Sequence, residues 1–280
     1  MRNIIDAIIT LIKNGNVNLS DSRVGINRIT DEGRALEKYV KNLFADTFNY
    51  SENERLEKWS EVFSYLGNDS NPPDIMLKNG DAVEVKKIKS DGAALALNSS
   101  SPKKFLSISN PMISNACRNA ELWNEKDIIY AVGVADDNRL KKLCMIYGRD
   151  YCAGDECYNK IRQLIKNGVE TAEGIEFSAT RELGRVNHTD PLGITYLRIR
   201  GMWHIENPWK VFNYVYQGNL NVNFNFMCII NSEKWASLEN CDKLFELQKN
   251  YPALKISDVK IKNPDNPAKL KNAKLITYEI

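Results

Sequence analysis

Pro73-Asp74-Ile75-Met76-Leu77-Lys78-Asn79-Gly80-Asp81-Ala82-Val83-Glu84-Val85-Lys86-Lys87 decides the fold. Two apolar-patterned runs flank Asn79-Gly80, a dipeptide that adopts the positive φ angles of a tight hairpin turn, so a β-hairpin is predicted. Side chains alternate along a strand. Ala82, Glu84, Lys86 and Ile88 therefore share one face, and Val83, Val85 and Lys87 share the other. Glu84 and Lys86 are neighbours, roughly 7 Å apart at Cα. Asp74 opens the partner strand and is brought toward Glu84, in a register the residues alone leave open. Asp74 and Glu84 offer hard oxygen ligands for Mg²⁺, with the Val85 carbonyl as a third. Lys86 can orient a nucleophilic water and add positive charge at an attacked phosphorus. Phosphodiester hydrolysis needs this set and requires neither a histidine nor a cysteine nucleophile. The same alternation also suits any half-exposed strand, so a plain surface hairpin stays open at this point.

Outward from the hairpin, residues 2–14 read as an amphipathic surface helix closed by Gly15. Asp6 interrupts the apolar run, which speaks against a signal peptide. Thr30 is placed as the cap of a helix to about Phe48, with Leu36, Tyr39, Val40, Leu43 and Phe44 as its buried stripe. A helix is expected over Glu52–Tyr65 and another over Pro111–Glu125. A strand over Asp127–Val134 returns through Leu143–Tyr147 across the Asp136-Asp137-Asn138 turn. Further helices are expected at Cys157–Lys166, Trp209–Tyr216 and from a Ser232 cap to Lys249. Strands are expected at Ile194–Ile199, Phe224–Ile230, Lys255–Ile261 and Lys274–Ile280. This order marks an α/β (α+β) protein, a mixed β-sheet flanked by helices. A single domain is expected over 1–280, with a nuclease core at about 25–150 and a DNA-recognition and dimerisation elaboration at about 175–280.

At 280 residues, 43% hydrophobic and 26% charged, the composition is that of a globular protein. No apolar stretch is long enough for a membrane helix, so no membrane partner is expected. The net charge of +2 excludes a globally basic nucleic-acid coat and demands local positive patches. Six cysteines form no CxxC pair. Cys152 and Cys157 lack a second ligand pair for zinc, so reduced thiols in a cytoplasmic protein are expected.

Candidate DNA contacts flank the hairpin. Lys87 and Lys89 lead into Asn98, Ser99, Ser100 and Lys103, residue types suited to phosphate contacts, or to a solvated loop. A second block holds Arg185, Asn187, His188, Arg198, Arg200 and His204. Arg198 and Arg200 share a strand face and could read guanine O6 and N7, or anchor phosphates, or pair with Asp190 or Glu206. Trp203 and Trp209 suit a core or wedge role better than base stacking.

Pro73-Asp74 with Glu84-Val85-Lys86 resembles the PD-(D/E)XK nuclease superfamily. RALEKYVKNLF, VFSYLGNDSNPPD, GDAVEVKKI, ALALNSSSPK, EKDIIYAVGV and ELGRVNHTDPLGITYLRIRGMWHIENPW together resemble the NgoPII family of type II restriction endonucleases across nearly the whole chain. The resemblance implies a restriction-endonuclease-like core and Mg²⁺-dependent cleavage of double-stranded DNA within GGCC. It also implies a homodimer on the palindrome and a cognate DNA methyltransferase as genetic counterpart. Asp74, Glu84 and Lys86 occupy the motif positions, and Glu37 matches an accessory glutamate, against a solvated helix glutamate as the alternative. A repair or junction nuclease without strict sequence readout is the nearest competitor, and a non-catalytic DNA-binding protein the next. In the latter, two carboxylates beside phosphate would repel it without a cation.

Overall fold

The computed structural model describes residues 1–19, 28–68, 71–136 and 138–280. The elements in chain order begin α1 (Ile4–Asn14), α2 (Arg28–Ala45), α3 (Glu52–Val62), β1 (Phe63–Asn68), β2 (Asn71–Leu77) and β3 (Ala82–Ile88). They continue with β4 (Leu95–Ala96), β5 (Phe105–Ser107), α4 (Asn115–Arg118), β6 (Glu125–Asp136), β7 (Arg139–Tyr147), α5 (Gly148–Tyr151) and α6 (Asp155–Glu170). Then come β8 (Glu176–Ser178), β9 (Gly184–Asn187), β10 (Leu197–Ile199), β11 (His204–Ile205) and α7 (Pro208–Val211). The chain closes with β12 (Asn225–Asn231), α8 (Ser232–Ala236), α9 (Asp242–Asn250), β13 (Leu254–Asn263) and β14 (Asn266–Glu279).

The central sheet runs β1-β2-β3-β6-β7-β12-β14-β13, with β5 paired to the start of β6. β3 lies parallel to β6 and β7 parallel to β12, while the other neighbours on this path are antiparallel, so the expected mixed sheet forms. One face carries Ile75, Val83, Val85, Ile129, Met145 and Phe226 beneath α1, α2 and α9. The other carries Met76, Ile128, Val132, Ile146 and Ile229, covered by Leu95, Leu106, Trp209 and Phe212. Strands buried on both faces read as continuous apolar runs, which is why IIYAVGV and NFMCII formed recognisable segments.

Several expected elements differ. α1 is a core helix: Ile4, Ile5, Ile8, Leu11 and Ile12 are fully buried, as are Ala7 and Thr10 on its flanks. Asn3 caps it, accepting from the Ile5 and Asp6 N–H groups, and Gly15 ends it at φ 63°. Thr30 lies inside α2, which begins at Arg28, and Asp137 of the expected β6–β7 turn lies outside the described residues. The helix from Glu52 stops at Val62, and the run from Phe63, with aromatic Phe63 and Tyr65 on alternate positions, becomes β1. Pro111–Glu125 holds only the one-turn α4, because its Asn, Ser and Gly-free polar spacing offers no continuous apolar stripe. The helix expected from Ser232 breaks into α8 and α9, and its cap is Asn231, whose side chain accepts from Lys234. β12, β13 and β14 belong to the central sheet, so that sheet extends past residue 150 to Glu279. Apart from it, β8, β9 and β10 form a small antiparallel sheet beside α6, and β4 pairs antiparallel with β11.

At the turn end of the hairpin, Lys234 bridges Asp81 and Asp127 at 2.8 Å each, and the Tyr147 hydroxyl donates to Asp81 at 2.8 Å. This ties β3, β6, β7 and α8 together and leaves the opposite end of β3 free for chemistry.

Candidate active site

The β2–β3 register is Ile75 opposite Val83 and Met76 opposite Ala82; one further step sets Asp74 opposite Glu84. Two carboxylates thereby converge on one sheet face, with Lys86 two residues along β3. Gly67 makes this placement possible. A Cβ there would sit 2.6 Å from the Pro73 carbonyl oxygen and 2.8 Å from Asp74 Cα, and β1 is bulged at this point. A glycine within a strand permits such a close approach of backbones, and Gly67 lies in a strand that the sequence reading did not anticipate.

Asp74 Oδ2 accepts from the Val85 backbone N–H at 2.6 Å. Lys86 Nζ donates to Glu84 Oε1 at 2.6 Å and lies 4.0 Å from Asp74 Oδ2. The side chains of Asp74, Glu84 and Lys86 are 13%, 12% and 24% exposed, so these charges meet with little water between them. Burial pushes the Asp74 carboxyl up to about 8, the Glu84 charge adds to this, and Lys86 only partly offsets it. Burial pulls the Lys86 ammonium down, yet Glu84 and Asp74 together outweigh it and raise its pKa. Two carboxylates and the Lys86 ammonium therefore share one little-exposed site.

Glu37 comes from α2. That helix packs closely because Gly133 lacks a Cβ that would meet Leu36 at 2.8 Å. Glu37 pairs with Lys41 at 3.8 Å, and its charge raises the pKa of both Asp74 and Lys86. Lys87 points to the opposite face and pairs with Glu32 of α2, and Lys89 is exposed.

No group of three or more His, Cys, Asp or Glu side chains among the described residues is arranged to hold a metal. Asp74 and Glu84 are two carboxylates that could hold one, and Glu84 Oε2 is buried without a hydrogen-bond partner. An orphaned anionic oxygen beside a second carboxylate and a backbone carbonyl fits a hard divalent cation. Cys152 is buried and Cys157 exposed, and they form no such site.

The second candidate region forms around β8, β9 and β10. Arg198 and Arg200 do share a face, but their partner is Glu182, not Asp190 or Glu206. Glu182 Oε2 meets Arg198 Nη2 at 3.1 Å, and Oε1 accepts from Arg200 Nε at 3.1 Å and from Ser99 Oγ at 2.8 Å. Nothing in Arg181-Glu182-Leu183 marks this hub, because its partners lie far away in sequence. Arg185 stacks over the Tyr196 ring at 5.0 Å, Asn187 donates to Ser178 Oγ at 2.6 Å, and His188 meets Glu176 at 2.6 Å. Asn98 and His204 are exposed where β4 pairs with β11, with Asn98 bonded through its carbonyl to the Trp203 N–H at 2.8 Å. The Ser100 hydroxyl is buried without a partner, Lys103 is buried instead of lying on a solvated loop, and Trp209 is a core residue. Trp203 packs edge-on against Tyr158.

A helix-flanked mixed sheet, in which a hairpin carries an acidic pair and a lysine into a parallel neighbour strand, is a restriction-endonuclease-like protein. Residues 2–262 match the NgoPII restriction endonuclease family, and the chain belongs to that family. It is 58% identical over 279 residues, 99% of this chain and 100% of the relative, to the type II restriction enzyme NgoPII of Neisseria gonorrhoeae. No solved structure matches it. The chain is therefore a type II restriction endonuclease, a site-specific deoxyribonuclease acting on double-stranded DNA, a class that typically uses a divalent metal. No helix of the described residues is long and apolar enough to cross a membrane.

Proposed function

We infer that this enzyme hydrolyses both strands of DNA at GGCC, with Mg²⁺ held by Asp74, Glu84 and the Val85 carbonyl and with Lys86 at the attacked phosphate. The observation that supports this reading is the buried Glu84 Oε2 without a partner, on a residue one register step from the Ile75–Val83 pair and so opposite Asp74. When bound, the cation supplies charge neutralisation at the phosphate and acidifies water. Asp74 and Glu84 hold and orient it. Lys86, released from Glu84, turns its ammonium to the attacking water and the phosphate oxygen, where it stabilises developing negative charge. Glu37 adds negative charge from α2 that favours the cation and keeps Lys86 protonated. The low exposure of all three motif side chains strengthens each of these interactions.

GGCC is palindromic, and a homodimer with one active site per strand matches its two-fold symmetry. Arg198 and Arg200 are assigned to guanine readout. Lys87, Lys89, Asn98, Ser99, Ser100, Arg185, Asn187, His188 and His204 are assigned to the surrounding DNA surface, with Lys87 acting from its Glu32 pair. Such an enzyme works in the cytoplasm alongside a methyltransferase that protects the host's own sites. Plasmid incubated with the protein and Mg²⁺ should give discrete fragments sharing one terminal sequence within GGCC. Smearing, or nicking that follows DNA structure, would refute sequence readout, and intact DNA under varied divalent metals would refute the nuclease assignment.

A further inference from the structure

A cleft of about 190 Å³ opens between the Ser99–Lys103 segment, the turn after β5 and the first turns of α6, lined by Ser101, Lys103, Ser107, Ser109, Asp155 and Arg162. Its chemistry is unlike that of the acidic pair. Lys103 is only 5% exposed, yet it makes no ion pair among the described residues. Its ammonium donates to the Ser101 carbonyl at 2.8 Å and to Ser101 Oγ at 2.7 Å, which uses two of three protons. Burial lowers its pKa, and the Asp155 charge offsets part of that. A buried cation satisfied only by neutral oxygens is an incomplete arrangement.

The other cation in the wall is Arg162. It is locked by its Nε to the Glu182 carbonyl at 3.0 Å and by Nη2 to the Arg181 carbonyl, which leaves Nη1 over for another acceptor. The Ser107 and Ser109 hydroxyls bond each other at 2.8 Å at the rim. With Asp155 against Lys103 and Arg162, the wall carries one net positive charge, matched to a singly charged phosphodiester. Position completes the case. The Lys103 backbone N–H donates to the Tyr130 hydroxyl at 2.7 Å, and Tyr130 lies directly beside Glu84 in the β3–β6 register. Adjacent strands are about 4.8 Å apart, so the cleft is built onto the strand next to the acidic pair.

We propose that this cleft is a phosphate subsite, in which Lys103, Arg162 and the Ser101, Ser107 and Ser109 hydroxyls grip one backbone phosphodiester of the DNA strand being cut, close to the bond held at Asp74, Glu84 and Lys86. The proposal rests on the nuclease assignment above and adds a specific second anchor to it. It makes the register of one strand depend on a contact that reads no base.

The test is a walk of single uncharged methylphosphonates along each strand of a GGCC duplex, with binding measured by fluorescence anisotropy in chelator. The wild type should lose about tenfold at one position near the cleavage point, and the slope of log affinity against log salt should fall by about 1 in Lys103→Met. That variant should bind the unmodified duplex about tenfold more weakly and show no further loss at the sensitive position. Ser109→Asp, at the exposed rim, should erase the same position's effect without touching the buried lysine, and so covers the case in which Lys103→Met does not fold. Equal losses at every position in wild type and Ser109→Asp would overturn the subsite. So would a flat walk in which inorganic phosphate raises the wild-type Tm but not that of Lys103→Met, which would assign the cleft to a free anion. Plasmid cleavage by the wild type, run in parallel, reports on the nuclease assignment separately: cleavage with a flat walk sinks only the subsite.

Discussion

Glu182→Gln is the perturbation whose size follows most directly from the structure. The Glu182 side chain is 7% exposed and receives three contacts, from Ser99 Oγ at 2.8 Å, Arg200 Nε at 3.1 Å and Arg198 Nη2 at 3.1 Å. Glutamine keeps one carbonyl oxygen, which can retain Ser99 and Arg200, but turns an NH₂ toward the Arg198 guanidinium, where donor faces donor. Arg198 and Arg200 are 56% and 58% exposed, so water screens them and each pair contributes about 0.5 kcal/mol. Weakening the Ser99 bond from a charged to a neutral acceptor costs about 1 kcal/mol more. The total is about 2 kcal/mol, which corresponds to a Tm lowered by roughly 4–8 °C in a chain of this size. The functional loss should be larger. An arginine aimed at guanine is worth about 1–3 kcal/mol of discrimination, so releasing Arg198 should cut the ratio of GGCC to scrambled-site affinity by roughly 10–100-fold. Anisotropy titrations on the two duplexes measure that ratio, and a salt series on the scrambled duplex should be unchanged. A Tm loss of the stated size with an unchanged ratio would show that Glu182 is a structural clamp and that these arginines do not read bases. An unchanged Tm would refute the clamp itself.

Lys86→Met and Asp74→Asn should each lower cleavage below detection in a timed plasmid digest while leaving GGCC duplex binding measurable by anisotropy; full cleavage by either removes that residue from the mechanism. Gly67→Ala should reduce cleavage at least tenfold with its far-ultraviolet circular dichroism retained, because the new methyl meets the Pro73 carbonyl and moves Asp74; wild-type rates would mean that the β1 bulge absorbs it. Lys234→Met leaves Asp81 with the Tyr147 hydroxyl and Asp127 with Arg149, and should cost about 1–3 kcal/mol in urea denaturation; a midpoint shift worth under about 0.5 kcal/mol would mean that those remaining partners suffice.

The hairpin was legible because three independent signals coincide in fifteen residues: turn chemistry at Asn79-Gly80, period-two alternation, and Glu84 with Lys86 on one face of the second strand. Those signals are local, and they suffice to separate Lys86 from Lys87, which the structure sends to opposite faces. The β1 strand was not legible, since Val62 continues the helical pattern and the change of period at Phe63 spans too few residues before Gly67. Elements that depend on distant partners were invisible for a different reason. Nothing near Asn225 states that β12 lies beside β7, because parallel pairing carries no turn between its strands.

The second half of the site follows the same division. That Arg198 and Arg200 share a face could be deduced from alternation, whereas their partner could not, because Glu182 reaches them across a separate small sheet and reaches Ser99 from 83 residues away. This one buried carboxylate joins the segment that follows the catalytic hairpin to the arginines assigned to base readout. Arg162, bonded to the Glu182 carbonyl, carries the same linkage on to the Lys103 cleft. Under the proposed assignments, these contacts would couple cleavage geometry to sequence readout through side chains that only the folded chain brings together. Loosening Glu182 should disturb both the arginines and the phosphate anchor, whereas a rim substitution such as Ser109→Asp should disturb the anchor alone. If the two variants shift discrimination equally, the coupling runs through the cleft; if only Glu182→Gln shifts it, readout resides in the arginines and the cleft sets position.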